Sequence, residues 1–128
     1  MAHISADTAI NFSHLRQYVG EDTELTAEVF GMFKHQTEMW CKMLQADADD
    51  ETWGSVVHSL KGSARAVGAC GLADACEQAE GLTGSNVTKT SRTVAVQDIS
   101  NWVEAVNHRI ARWEYRQTMS GLRTPVTG

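Results

Sequence analysis

The chain has little of what marks membrane, disulfide-stapled or nucleic-acid-binding proteins. Its 128 residues include one proline and three cysteines, and no apolar run approaches the roughly 20 residues that span a bilayer. The cysteines are odd in number and follow no C-x-x-C spacing, so we expect three small packing residues in a reducing compartment. Acidic residues outnumber basic ones by 16 to 11, which leaves no broad cationic surface for a phosphate backbone.

The amino terminus is also short of a targeting signal. The segment from Met1 to Asp7 has neither the basic nor the apolar region of a secretory signal, so we expect a cytoplasmic protein. A length of 128 residues is typical of one domain. We expect one domain over residues 1–120, a flexible tail over 121–128, and a monomer that binds neither nucleic acid nor membrane.

Alternating β-branched runs are missing as well, and the sole proline, Pro125, lies at the tail. What is present is helical periodicity, which predicts helices over about 7–18, 23–46, 50–67, 71–82 and 93–119. In the second, Leu25, Met32, Met39 and Met43 are among the apolar residues at helical spacing. The pattern predicts an all-α protein: an antiparallel four-helix bundle with a short additional N-terminal helix.

The third predicted helix carries the candidate chemistry. At about 100° per residue, one side is an apolar stripe made of Trp53, Val56, Leu60, Ala64 and Val67. The opposite side carries His58 with a polar stripe of Glu51, Gly54, Ser55, Lys61, Gly62 and Arg65. A glycine within a helix costs about 0.5–1 kcal/mol relative to alanine, so Gly62 on this exposed face suggests clearance for an approaching partner.

Among the histidines, His58 has the neighbours that phosphoryl chemistry needs. Imidazole has an unperturbed pKa of about 6.5, so near neutral pH its unprotonated nitrogen can attack a phosphoryl group. Lys61, one turn on, would place an ammonium near the phosphoryl oxygens. Arg65 lies on the same face about two turns from His58. These residues predict a phosphoryl-accepting site.

The segment His58-Ser59-Leu60-Lys61-Gly62-Ser63-Ala64, followed by Gly68 and Leu72, closely resembles the histidine-containing phosphotransfer (HPt) domain of multistep two-component signalling. The resemblance covers about 30 residues. It implies a bundle that takes a phosphoryl group from the aspartate of one receiver domain and passes it to another. By the same resemblance His58 is phosphorylated, Lys61 stabilises the phosphoryl group, Gly62 leaves room, and Glu80 orients or neighbours the histidine.

The resemblance also implies partners: the receiver domains of a hybrid sensor kinase and of a response regulator. The chain contains no glycine-rich nucleotide loop, so we expect no ATP-dependent kinase activity and no cofactor or metal of its own. Mg²⁺ is expected in the receiver. Arg65 is expected to make a rim contact.

Two other classes of function are considered. A carboxylate-bridged di-metal bundle needs two Glu-x-x-His motifs, and the chain contains none. A helical adaptor that binds receiver or kinase domains without phosphotransfer is the alternative, although such a domain would be expected to lack the histidine or the lysine.

Overall fold

The computed structural model describes residues 4–85 and 87–123. A short 3₁₀ turn at Ala6–Thr8 precedes five helices, which are α1 (Phe12–Val19), α2 (Thr23–Met43), α3 (Asp50–Ala66), α4 (Cys70–Glu80) and α5 (Lys89–Arg123). Helix α2 packs against α3 and α5, and α4 packs against the same two helices. The predicted all-α, antiparallel four-helix bundle with a short N-terminal helix is confirmed. Among the described helices, none is apolar enough over a sufficient length to cross a bilayer.

The core consists of the apolar stripes that the periodicity predicts. On α3 the whole predicted stripe is at most 1% exposed, namely Trp53, Val56, Leu60, Ala64 and Val67 just after the helix. On α5 the buried positions include Ile99, Val106 and Ile110. Removing this apolar surface from water, at roughly 25 cal/mol per Å², is the main force that holds the helices together.

Side-chain caps set where the helices begin. Asp22 and Asp49 accept hydrogen bonds from the backbone N–H groups of Leu25 (2.9 Å) and Thr52 (2.7 Å), which satisfies donors that a helix start leaves free. The Thr88 hydroxyl accepts from the N–H of Ser91 at 3.0 Å in the same way. This cap explains why α5 begins at Lys89, four residues before the predicted start.

The first and last helices differ from the prediction. The expected helix over 7–18 is two pieces, because Asn11 adopts an extended backbone and caps α1 through the N–H of His14. Helix α5 continues to Arg123, so residues 121–123 of the predicted tail are helical. The rest of that tail, residues 124–128, lies outside the described residues.

Two glycines mark places where the backbone is closely approached. Gly68, in the turn between α3 and α4, has a φ of +74°, and a Cβ there would lie 2.7 Å from the carbonyl oxygen of Asn11. A Cβ on Gly71 would lie 2.3 Å from the ring of Trp102. The first contact seats α1 against the α3–α4 turn, and the second lets α4 approach α5.

Arg92 ties together one end of the bundle. The residue is 6% exposed, and its guanidinium donates to the carbonyl oxygens of Leu82 (3.0 Å) and Ala48 (2.6 Å). It also pairs with Asp50 at 2.7 Å and lies 4.7 Å from the ring centroid of Trp53. One side chain on α5 therefore joins the α2–α3 loop, the first turn of α3 and the end of α4.

Candidate functional site

His58 lies on the polar face of α3, opposite the buried stripe. Its side chain is 78% exposed, as the helical wheel predicts. Gly54 and Gly62 are one turn before and one turn after it, and a Cβ on either glycine would meet nothing within 4 Å. The positions one full turn before and after the imidazole on this face therefore carry no side chain.

Lys61 is not the free surface cation that the polar stripe suggests. Its side chain is only 12% exposed, and its Nζ lies 2.8 and 2.9 Å from the two carboxylate oxygens of Glu80 on α4. Lys61 is covered because α3 packs closely against α4 and Lys61 faces that contact. The resting site thus contains a lysine whose charge is already neutralised.

Glu80 connects this ion pair to the histidine. Its Oε1 lies 3.5 Å from Nδ1 of His58. The hydrogen bond from Lys61 holds the pKa of Glu80 below its usual value of 4.5, and the neighbouring His58 acts in the same direction, while partial burial opposes both. The carboxylate is therefore ionised at neutral pH, and it favours the imidazole tautomer that carries its proton on Nδ1. In that neutral tautomer Nε2 is the nitrogen with the free lone pair.

The remaining predicted site residues lie nearby but apart from this triad. Gly62 and Arg65 are both exposed on α3, and the side chain of Arg65 forms no ion pair or hydrogen bond with any residue the structure describes, although its carbonyl oxygen accepts from the N–H of Gly68. Ser63, between them, is buried and donates to the side-chain oxygen of Gln36 on α2 at 2.9 Å. Thus His58, Lys61 and Glu80 are brought into contact, Gly62 shares their face, and α2 borders it.

The structure shows a feature of α2 that the sequence reading missed. Four apolar residues of α2 are exposed, and we call them the methionine stripe: Leu25, Met32, Met39 and Met43. Their spacing of 7, 7 and 4 residues places them along one line of the helix. The core residues Phe30, Phe33 and Thr37 lie on a different side of α2. This angular difference is present in the sequence and could have distinguished the exposed apolar residues from the buried ones.

The three cysteines differ in burial, and not all of them have the packing role that we expect from the sequence. Cys76 is buried, and burial raises the pKa of its thiol to about 12, so it is an inert packing residue. Cys41 is half-buried, whereas Cys70 is exposed at the first position of α4, which corrects the prediction for that residue. Within residues 4–85 and 87–123, no three histidine, cysteine or acidic side chains are grouped as metal ligands.

Comparisons with known proteins agree with this geometry. The family model for the Hpt domain matches residues 24–114. The crystal structure of the histidine phosphotransferase ShpA from Caulobacter crescentus superposes with a TM-score of 0.72 at 27% sequence identity, covering 90% of this chain and 99% of that one. A comparison with curated proteins finds no match. The two matches support a phosphotransfer role, and since the family model covers well over half of the chain, the protein belongs to the Hpt-domain family.

Proposed function

We propose that this protein relays a phosphoryl group between receiver-domain aspartates through a phosphorylated His58. The donor would be the receiver of a hybrid sensor kinase, and the acceptor the receiver of a response regulator. One observation carries the proposal: an exposed imidazole whose Nδ1 faces an ionised carboxylate, in a chain of the Hpt family.

The transfer step follows from that tautomer. The Nε2 lone pair attacks the phosphorus of the receiver's aspartyl phosphate, the Nε2–P bond forms, and the bond from phosphorus to the carboxyl oxygen breaks. The electron pair leaves with the receiver's aspartate. The ring then carries a positive charge with its proton still on Nδ1, and the carboxylate of Glu80, 3.5 Å away, stabilises that charge. Glu80 is thus proposed as a positioning residue and counter-charge.

Lys61 would act from beneath the reacting group. Its ammonium has three donors, and Glu80 engages it through both carboxylate oxygens, so a contact with a phosphoryl oxygen would be shared with the existing ion pair. Arg65 is exposed one turn beyond Lys61 and is proposed to contact the rim of the receiver. Mg²⁺ and the reactive aspartate would come from the receiver, and the protein itself would not use ATP.

The methionine stripe is proposed as part of the receiver-docking surface. Gln36 of α2 pairs with Ser63 of α3, and the two helices run antiparallel, so the level of His58 falls near residue 41 of α2. Met39 and Met43 flank that level by about 3 Å along the axis. Flexible, polarizable methionines are frequent at surfaces that bind several partners, as a protein serving two receivers requires.

Gly62 gives a direct test of docking. Because a Cβ there meets nothing within the chain, Gly62→Ala should stabilise the fold by about 0.5–1 kcal/mol.

Gly62→Gln would place a long side chain beside His58 and should weaken receiver binding about tenfold, measured by titration calorimetry. Gly31→Gln is the matched control, since Gly31 is also helical and unobstructed but lies on another face of α2. Equal affinity for both glutamine variants would contradict the clearance role.

The proposed function is tested by phosphoryl transfer from a receiver. Incubation with a receiver carrying radiolabelled aspartyl phosphate and Mg²⁺ should move the label to this protein. The label should be labile in acid and stable in base, as a phosphoramidate is. Label that is stable in acid, or no transfer from any receiver of the source organism, would overturn the proposal.

A further inference from the structure

A cluster of arginines lies away from the His58 face. Arg109, Arg112 and Arg116 follow one another on α5 at spacings of three and four residues, so they share one side of the helix. Arg16 on α1 lines a cleft together with Arg109. In a chain whose net charge is −5, these arginines form a local concentration of positive charge.

The protein supplies little of that counter-charge. Asp7 pairs with Arg112, but within the described part of the chain no carboxylate pairs with Arg16, Arg109 or Arg116. Burial lowers the pKa of Arg109, the charges of Arg112 and Arg116 lower it further, and the charge of Asp7 acts in the opposite direction. The cluster is therefore held together with its charges only partly neutralised.

Arg109 is the arginine of this cluster with a buried, unpaired nitrogen. Its guanidinium lies 4.5 Å from the ring centroid of Phe12, which fixes its plane. Its Nη1 is buried, and no group in the described residues accepts a hydrogen bond from it. A buried N–H without a partner is costly, and an oxyanion on the accessible nitrogens of this half-buried guanidinium would neutralise its charge.

The cleft beside Arg109 has the dimensions of a ligand site. It is an open cleft of about 420 Å³ between α1, the start of α2 and α5, and this volume is within the range of small-molecule pockets. Its wall combines the two arginines with the aromatic rings of Phe12 and Trp113, and Glu21 is its one acidic residue. The cationic part suits an oxyanion, since guanidinium groups bind carboxylate and phosphate in the same forked geometry, and the rings suit a flat apolar body.

We propose that this arginine cleft binds a small aromatic oxyanion, an aryl phosphate or an aryl carboxylate. The oxyanion lies on Arg109 and Arg16, and the aryl group packs on Phe12 and Trp113. The site is separate from His58, and its occupation does not depend on phosphotransfer.

The test is a titration followed by the Trp113 indole N–H signal in NMR spectra, at constant ionic strength. Phenyl phosphate or benzoate should bind saturably, whereas phenol, which lacks the oxyanion, should not. Comparing the two anions distinguishes the phosphate source from the carboxylate source. Failure of both to saturate, or equal affinity for inorganic phosphate and phenyl phosphate, would overturn the aryl-anion site.

Variants locate the binding. Arg109→Met should weaken it about tenfold or more, since it removes a charge-assisted hydrogen bond. Arg16→Met should act in the same direction, and because Arg16 is exposed it tests the site without disturbing the core. Arg65→Met on α3 is the matched control, and His58→Gln should bind normally. Loss of binding in either control, or retention of full affinity in both cleft variants, would refute the proposal.

Discussion

His58→Gln is expected to reduce phosphoryl transfer to this protein by more than about a thousandfold, because the nucleophile is removed. Glutamine is close to histidine in size but has no ring nitrogen with a free lone pair. The side chain is 78% exposed, so its replacement should change the free energy of unfolding by less than about 0.5 kcal/mol. The measurement is label transfer from a phosphorylated receiver, with circular dichroism to verify the fold.

The matched control is His108→Gln, which alters an exposed histidine on α5. It should keep full transfer. Label that persists in the His58 variant would mean that another histidine carries the phosphoryl group, and label lost in both variants would point to an unspecific effect of the substitutions.

Arg92→Ala is expected to lower the free energy of unfolding by about 2–4 kcal/mol, the largest stability loss we predict for one side chain outside the apolar core. Arg92 is 6% exposed and donates to the carbonyl oxygens of Leu82 and Ala48 as well as to Asp50. Without it those acceptors lose a partner and the ring of Trp53 loses its cation. Because the carboxylate of Asp50 is 57% exposed, water can replace part of the loss.

Urea unfolding measures this effect. Arg65→Ala is the control, because Arg65 is exposed and forms no ion pair within the described residues, and it should change stability by no more than about 0.5 kcal/mol. Arg92→Lys should fall between the two, since an ammonium can reach only some of the acceptors. Equal stability of the two alanine variants would contradict the anchoring role of Arg92.

The sequence predicts those parts of the fold that depend on one helix at a time. The buried stripe of α3 and the exposure of His58 follow from a period of 3.6 residues, so both could be read directly. The partner of Lys61 could not, because a helical wheel places a side chain on its own helix and contains no information about which neighbour covers it. Glu80 was named through a resemblance, and its ion pair with Lys61 required the packing of α4 on α3.

Arg92 illustrates the same limit over longer distances. Its acceptors come from residues 46, 48, 50 and 82, and three of these are backbone carbonyls that carry no sequence signature. The break at Asn11 was missed for a related reason. An asparagine within an apolar helical pattern can be a surface residue or a cap, and the contact with the backbone of Gly68 decides between them.

The contact between Gly71 and Trp102 restricts how this protein can vary. The indole fills the space that a Cβ at position 71 would need, so any side chain at 71 requires a displaced indole, a smaller residue at 102 or a wider separation of α4 and α5. Such a separation would shift α4, the helix that carries Glu80, relative to its neighbours. The two positions should therefore change together among related sequences, and variation at a glycine and a tryptophan remote from His58 would be coupled to the geometry of its ion pair.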